Sequence, residues 1–195
     1  MGKFPAAVVA IAALLPAAAA AQPPSLAARA DALVAKGESQ VIAWRRWIHQ
    51  NPELSYQETK TAATIAGALA AMPGMKVREG IAKTGVKGVL VGGKPGPVIA
   101  LRADMDALPV EEKTGLAYAS VSKAMWRGQE SFVAHACGHD AHVAMLLGAA
   151  DALARMREDL PGTVVFLFQP AEEWGGDDNG TPSGATLMVR EGVLA

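Results

Sequence analysis

Three of the chain's four histidines and its single cysteine fall in one stretch, His135-Ala-Cys137-Gly-His139-Asp140-Ala-His142. About thirty residues on comes Phe168-Gln-Pro170-Ala-Glu172-Glu173. Thiolate, imidazole and carboxylate together are the donor set of a zinc-type transition-metal site. Cys137 and His139 are separated by one glycine, so in a turn they can converge on one ion. Glu172 and Glu173 are adjacent, and adjacent side chains at a strand end point apart. One can bind the ion while the other faces the substrate. Hydrolysis needs that division: a metal polarises a carbonyl and lowers the pKa of its bound water, while a free carboxylate shuttles the proton.

Each piece has a structural alternative. Cys137 alone would be a small buried hydrophobe, and two adjacent glutamates would be solvated surface. Asp104 and Asp106 could cap the loop after a strand. His135 and His142 could support the site from behind or lie on the surface, and His49 could simply hold the turn before Pro52. A structural zinc domain would present four Cys/His ligands in spaced pairs, which one cysteine and an acidic pair do not match.

The elements that must position these residues are legible in the periodicity. Leu26, Ala30, Leu33, Val34, Val41, Trp44 and Ile48 recur at three- and four-residue steps, predicting an amphipathic helix that ends before Pro52, with Gly37 as a candidate break. Ser55-Tyr-Gln-Glu58 reads as a capping box opening a second helix. That helix turns Ala62, Ile65, Leu69 and Met72 inward and stops at Pro73-Gly74. Short strands are expected at 75–79, 85–91 and 98–103, with Gly92 to Pro97 a turn between the last two. The third is nearly all apolar, as a strand covered on both faces would be. Residues 107–134 read as irregular, 142–156 as an apolar helix, 163–168 as another buried strand, 175–184 as a loop and 185–194 as the start of a helix. Strands alternating with helices indicate an α/β, three-layer sandwich around a mostly parallel sheet. Ligands bind such sheets at the carboxyl ends of strands. Asp104 and Asp106 sit at one such end, and Glu172 and Glu173 at another.

The chain has 195 residues and a formal net charge of −1, from 18 basic and 19 acidic side chains. No basic run or stripe points to nucleic acid, and one cysteine rules out an internal disulfide framework. Met1-Gly-Lys3, the apolar stretch Phe4 to Ala21 and Ala19-Ala-Ala21 before Gln22 match a cleaved signal peptide over 1–21. The mature part, 22–195, is then exported, periplasmic or secreted. No later stretch reaches the ~18 consecutive apolar residues that span a bilayer, so no membrane contact is expected after cleavage.

Taken in order, the motifs resemble the M20 metallopeptidase family, in its aminoacylase-like amidohydrolase branch of hippurate hydrolases and N-acyl-amino-acid amidohydrolases. The matching stretches begin with Arg46-Trp-Ile-His49-Gln-Asn-Pro52-Glu53-Leu-Ser55-Tyr-Gln-Glu58 and Leu101-Arg-Ala-Asp104-Met-Asp106-Ala-Leu-Pro109. His135 to His142 and Phe168 to Glu173 follow, and Gly184 to Leu194 also looks like the branch. The resemblance runs from about residue 40 to the last residue and implies a zinc-exopeptidase-like catalytic domain.

It also implies roles by position. Cys137, His139 and Glu173 are metal ligands, Glu172 is the general base, and Asp106 supports the catalytic centre from behind. Asp104 stands where the wider family has a metal-binding histidine, and reads as a supporting group or occasional ligand. The implied cofactors are two divalent ions, zinc or manganese, and the substrates are N-acyl amino acids or related small amides. Family members are roughly twice this length, with a lid domain that dimerises and two further histidine ligands. This sequence has no histidine after His142, so it supplies three of the five expected ligands. Because the family's dimer surface lies in the lid, a homodimer is expected only where that lid is present. Two readings stay beside the amidohydrolase: a truncated, non-catalytic fragment of such an enzyme, and a carboxypeptidase or dipeptidase of the same superfamily. Acyl and amino-acid specificity are not readable from these residues.

Overall fold

The structure, a computed structural model, describes residues 24–173 and 180–194. The expected signal segment over 1–21 and the first half of the 175–184 loop, residues 175–179, lie outside the described residues. Helix α1 spans Leu26–Gln50, started by Ser25, whose hydroxyl accepts the N–H of Ala28. It runs through Gly37 without a break. Only Ile48 and His49 of α1 are buried, and Leu26 and Val34 of the expected inward stripe are exposed. Helix α2 spans Thr59–Ala70 with Ile65 and Leu69 buried, as the periodicity predicts, and Met72 buried just beyond it.

The capping box is not formed. Glu53, not Ser55, caps α2: its carboxylate accepts the N–H groups of Lys60 at 3.1 Å and Thr61 at 2.8 Å. A carboxylate suits these free amides at the positive end of the helix dipole. Ser55 and Glu58 are thereby released for other partners.

Strands β1 (Met75–Ile81), β2 (Gly85–Val91) and β3 (Lys94–Asp104) follow, then a hairpin of β4 (Lys123–Trp126) and β5 (Gln129–Phe132). The hairpin lies in the stretch expected to be irregular. Arg127 and Gly128 at its tip both have positive φ, as a tight two-residue hairpin requires. Helix α3 (His139–Arg155) starts three residues earlier than predicted, β6 spans Pro161–Gln169, and α4 spans Gly184–Arg190.

The α/β architecture is present, but the sheet is mixed. Among the described residues the strand order is β1-β2-β6-β3, with β3 and β6 the one parallel pair of this sheet. β1 and β2, joined by three residues, pair antiparallel, while β6 lies between β2 and β3, antiparallel to the first and parallel to the second, because the long segment carrying α3 allows a parallel return beside β3. Alternation along β6 splits the core. Phe166 and Phe168 pack with Ile65, Leu69, Val143 and Leu147 of α2 and α3 on one face. Leu167 packs with Ile81, Met188 and Val193 on the other, below α4. Strand β3 is not covered on both sides: Val98, Ile99 and Leu101 are exposed, and among the described residues β6 is its one neighbouring strand. Helices α1 and α3 approach closely at Gly148, where an added Cβ would lie 2.6 Å from Val41.

Candidate metal centre

The parallel β3–β6 pair sets Asp104 opposite Gln169, so the two acidic segments leave the sheet at the same edge. The register is locked just beyond, where Met105 N–H donates to the Gln169 carbonyl at 3.0 Å. Asp106 then turns inward and is fully buried. Its carboxylate accepts the Ser55 hydroxyl at 2.7 Å and the backbone N–H groups of Glu172 at 3.1 Å and Glu173 at 3.0 Å. Burial opposes its charge, but these donors and His139 outweigh it and hold Asp106 below the usual carboxylate range.

His139 is the first residue of α3, entered through Gly138 at φ 89°, a left-handed conformation that glycine takes without a Cβ penalty. Its Nδ1 donates to the Asp106 main-chain carbonyl at 2.8 Å. That bond fixes the tautomer and leaves Nε2 facing Glu172 Oε2 at 3.7 Å and Glu173 Oε1 at 3.8 Å. Burial disfavours the imidazolium, yet the bonds to Asp106 and the charges of Asp106 and Asp104 raise its pKa to about 9. One donor atom each from Cys137, His139 and Glu173 lie within 4.8 Å of one another. Cys137 is exposed, and the Glu173 carboxylate against it pushes its thiol up.

Two observations show that these residues fit a soft divalent ion. The donors are one sulfur, one ring nitrogen with its tautomer fixed, and one carboxylate, a zinc-type set. Glu173 Oε1 is also buried without a hydrogen-bond partner among the described residues, an acceptor whose burial is costly unless something pairs with it. Asp104, His139 and His142 form a second group of donor atoms within 4.8 Å. Asp104 is also engaged by Arg102, which donates to Gln169 as well, at 2.8 Å. His135 joins neither group. It is buried, neither ring nitrogen has a partner among the described residues, and burial pushes its pKa down to about 4.

Three supporting features escaped the sequence reading. Glu58 is fully buried and bonds the Ala171 N–H at 2.9 Å and the Thr84 hydroxyl at 2.6 Å. Its first bond holds Ala171 at φ 48°, the turn that presents Glu172 and Glu173. His49 does more than end a helix. Its Nδ1 meets Asp140 at 2.9 Å and its Nε2 meets Glu112 at 3.1 Å, while Arg45 also reaches Asp140. Burial opposes its charge, but the two carboxylates raise its pKa. Gly184 tucks under Pro170, where an added Cβ would lie 1.7 Å from the Pro170 carbonyl oxygen. No one-residue pattern announces any of these, because each partner lies far away in the chain.

Residues 100–195 match the sequence profile of peptidase family M20/M25/M40. The chain is 43% identical over 162 residues to an N-acyl-L-amino acid amidohydrolase of Geobacillus stearothermophilus, covering 83% of this chain and 40% of that protein. It is 46% identical over 158 residues to thermostable carboxypeptidase 2 of Saccharolobus solfataricus, covering 80% of this chain and 37% of the relative. Among solved structures it resembles the YXEP protein of Bacillus subtilis, described as a dinuclear metal binding peptidase from the M20 family. That match has a TM-score of 0.69 and 39% identity, and covers 84% of this chain and 40% of the other. The chain thus spans about two fifths of the length of the curated relatives it matches. On the matched motifs and the shared fold, residues 100–195 belong to a domain of peptidase family M20/M25/M40.

Proposed function

We propose that this chain carries the nucleophile-activating part of a metal-dependent amidohydrolase acting on N-acyl amino acids or related small amides. The observation that carries the reading is the convergence of Cys137, His139 and Glu173 beside a second, half-exposed carboxylate, Glu172. Cys137, His139 and Glu173 would hold a divalent ion, zinc or manganese, in a centre that takes two such ions when complete. When bound, the ion supplies Lewis acidity to the amide carbonyl and acidity to water.

The chain's own residues do the rest. Glu172 takes the proton of the attacking water as general base and returns it to the leaving amine. Asp106 is a positioning residue. Through the N–H groups of Glu172 and Glu173 it sets the two carboxylates side by side, and its carbonyl turns the His139 ring. Beside Glu172 a cleft of about 490 Å³ is lined by Arg102, Gln169, Met188, Val189 and Leu194, giving a small acyl group apolar walls. The likeness to a carboxypeptidase supports a second reading, in which the bond cleaved is a C-terminal peptide bond.

In the full-length gene product, Glu172→Gln is expected to abolish turnover of N-acyl amino acids while bound metal, read by elemental analysis, stays unchanged. Retained turnover would remove Glu172 as the base. Cys137→Ala is expected to lower metal content, and unaltered stoichiometry would remove that ligand. Substrate panels of N-acyl amino acids against short peptides separate the two readings. Residues 1–21 are read as an export signal, tested by N-terminal sequencing of the protein from its source, with Gln22 the expected first residue.

A further inference from the structure

The turn that opens α3 offers more donors than one ion-binding triplet uses. Asp104, at the end of β3, is buried, and His139 and His142 stand three residues apart in the first turn of α3, so their rings share a face. The ring centroids are 5.6 Å apart, and the donor atoms of all three residues lie within 4.8 Å of one another. His142 is exposed, so a cation reaches it from solvent.

The Asp106 carbonyl engages His139 Nδ1, so both triplets draw on the same Nε2. They are alternative seats about one shared nitrogen and cannot both be filled through it. Their chemistry differs. One contains a thiol, and the other two imidazoles and a carboxylate, a set that needs no thiolate and suits borderline divalent ions. Arg102 pairs through its guanidinium with Asp104. It is half-exposed, so its guanidinium can move into water as an ion arrives.

We propose that Asp104, His139 and His142 form a second, thiolate-free seat for a divalent cation, alternative to the Cys137–His139–Glu173 seat. The inference rests on the metal-binding reading above in sharing His139, and the test separates the two. The 195-residue chain is titrated with Co2+ alone and followed by absorption. The unaltered chain is expected to show a thiolate-to-cobalt band in the near ultraviolet. C137S, which changes an exposed thiol, is expected to lose that band yet still bind one Co2+ with visible ligand-field bands. Adding H142A, a change at an exposed side chain, is expected to weaken Co2+ binding by C137S about 10-fold or more, at least the loss seen when outer-shell partners are removed. Hyperfine-shifted imidazole signals in the Co2+ form of C137S should also lose one ring set in C137S/H142A. The second seat is overturned if C137S binds no Co2+, or if C137S and C137S/H142A bind alike. Absence of the near-ultraviolet band in the unaltered chain would sink the Cys137 ligand instead, while the C137S pair still decides the second seat.

Discussion

Glu58 accepts the backbone N–H of Ala171 at 2.9 Å, across 113 residues of chain, with its side chain fully buried. A carboxylate far from the metal-binding residues in sequence therefore holds the strained turn that presents Glu172 and Glu173. Burial raises Glu58 to about 7, against the opposing pull of its bonds to Thr84 and Ala171. The folded pKa lies above the unfolded value near 4.5. The contribution of Glu58 to stability is therefore full below about 4.5 and falls as pH rises to about 7, by on the order of 3 kcal/mol. In Glu58→Gln the amide keeps an acceptor for Ala171 and has no charge to bury. Urea unfolding of both proteins across this range should show wild-type stability falling relative to the variant. Parallel curves would refute the raised pKa.

His49 predicts a second pH dependence. The groups that face it are Asp140, Glu112, Arg45 through Asp140, and the edge-on ring of Tyr118. Its folded pKa is raised above 6.5. The stabilisation is thus fully present below about 6.5 and lost as pH rises through the folded value. His49→Ala leaves two buried carboxylates short of a partner and is expected to cost about 3 kcal/mol at pH 6. The cost should shrink at pH 9, and a pH-independent cost by chemical denaturation would contradict the ion-pair account.

Gly184→Ala tests the seat of α4. Its Cβ would meet a backbone oxygen, which cannot swing aside as a side-chain tip could. Overpacking of this kind costs about 1–3 kcal/mol, and it should also displace the Pro170–Glu173 turn through the Gly184–Ala171 bond. Thermal unfolding reads the first effect and Co2+ affinity the second. Unchanged melting would mean that the close approach relaxes without strain.

The exposed edge of β3 predicts self-association. Val98 and Ile99 stand on opposite faces of a strand whose outer hydrogen-bonding edge is unpaired among the described residues. Sedimentation velocity should show concentration-dependent association of this chain that Val98→Lys with Ile99→Lys suppresses. A double variant that associates as strongly as wild type would place the sticky surface elsewhere.

Much of the architecture is legible in the sequence. α1 and α2 follow from their three- and four-residue apolar spacing, and β2 and β6 from short apolar runs between turn residues. The β4–β5 hairpin was missed because its strands are four residues each and mix polar with apolar side chains, so no alternation stands out. The direction of pairing was misjudged because alternating elements imply crossovers, whereas β1 and β2 are joined by only three residues, Ala82 to Thr84.

The candidate centre divides in the same way. The sequence by itself determined which donors exist and that Cys137, His139 and the Glu172–Glu173 pair would leave neighbouring elements, because scarce ligand types clustered beside strand and helix ends are a local pattern. Tertiary structure alone decided what holds them: Asp106 under both glutamate amides, Glu58 under Ala171, Glu53 rather than Ser55 on the α2 amides, and His49 between Asp140 and Glu112. Each is a charge or dipole satisfied by a group tens of residues away or released by a nearer competitor. Such pairings depend on which groups burial strips of water and then brings within hydrogen-bond distance, and that is settled only when the sheet and helices pack.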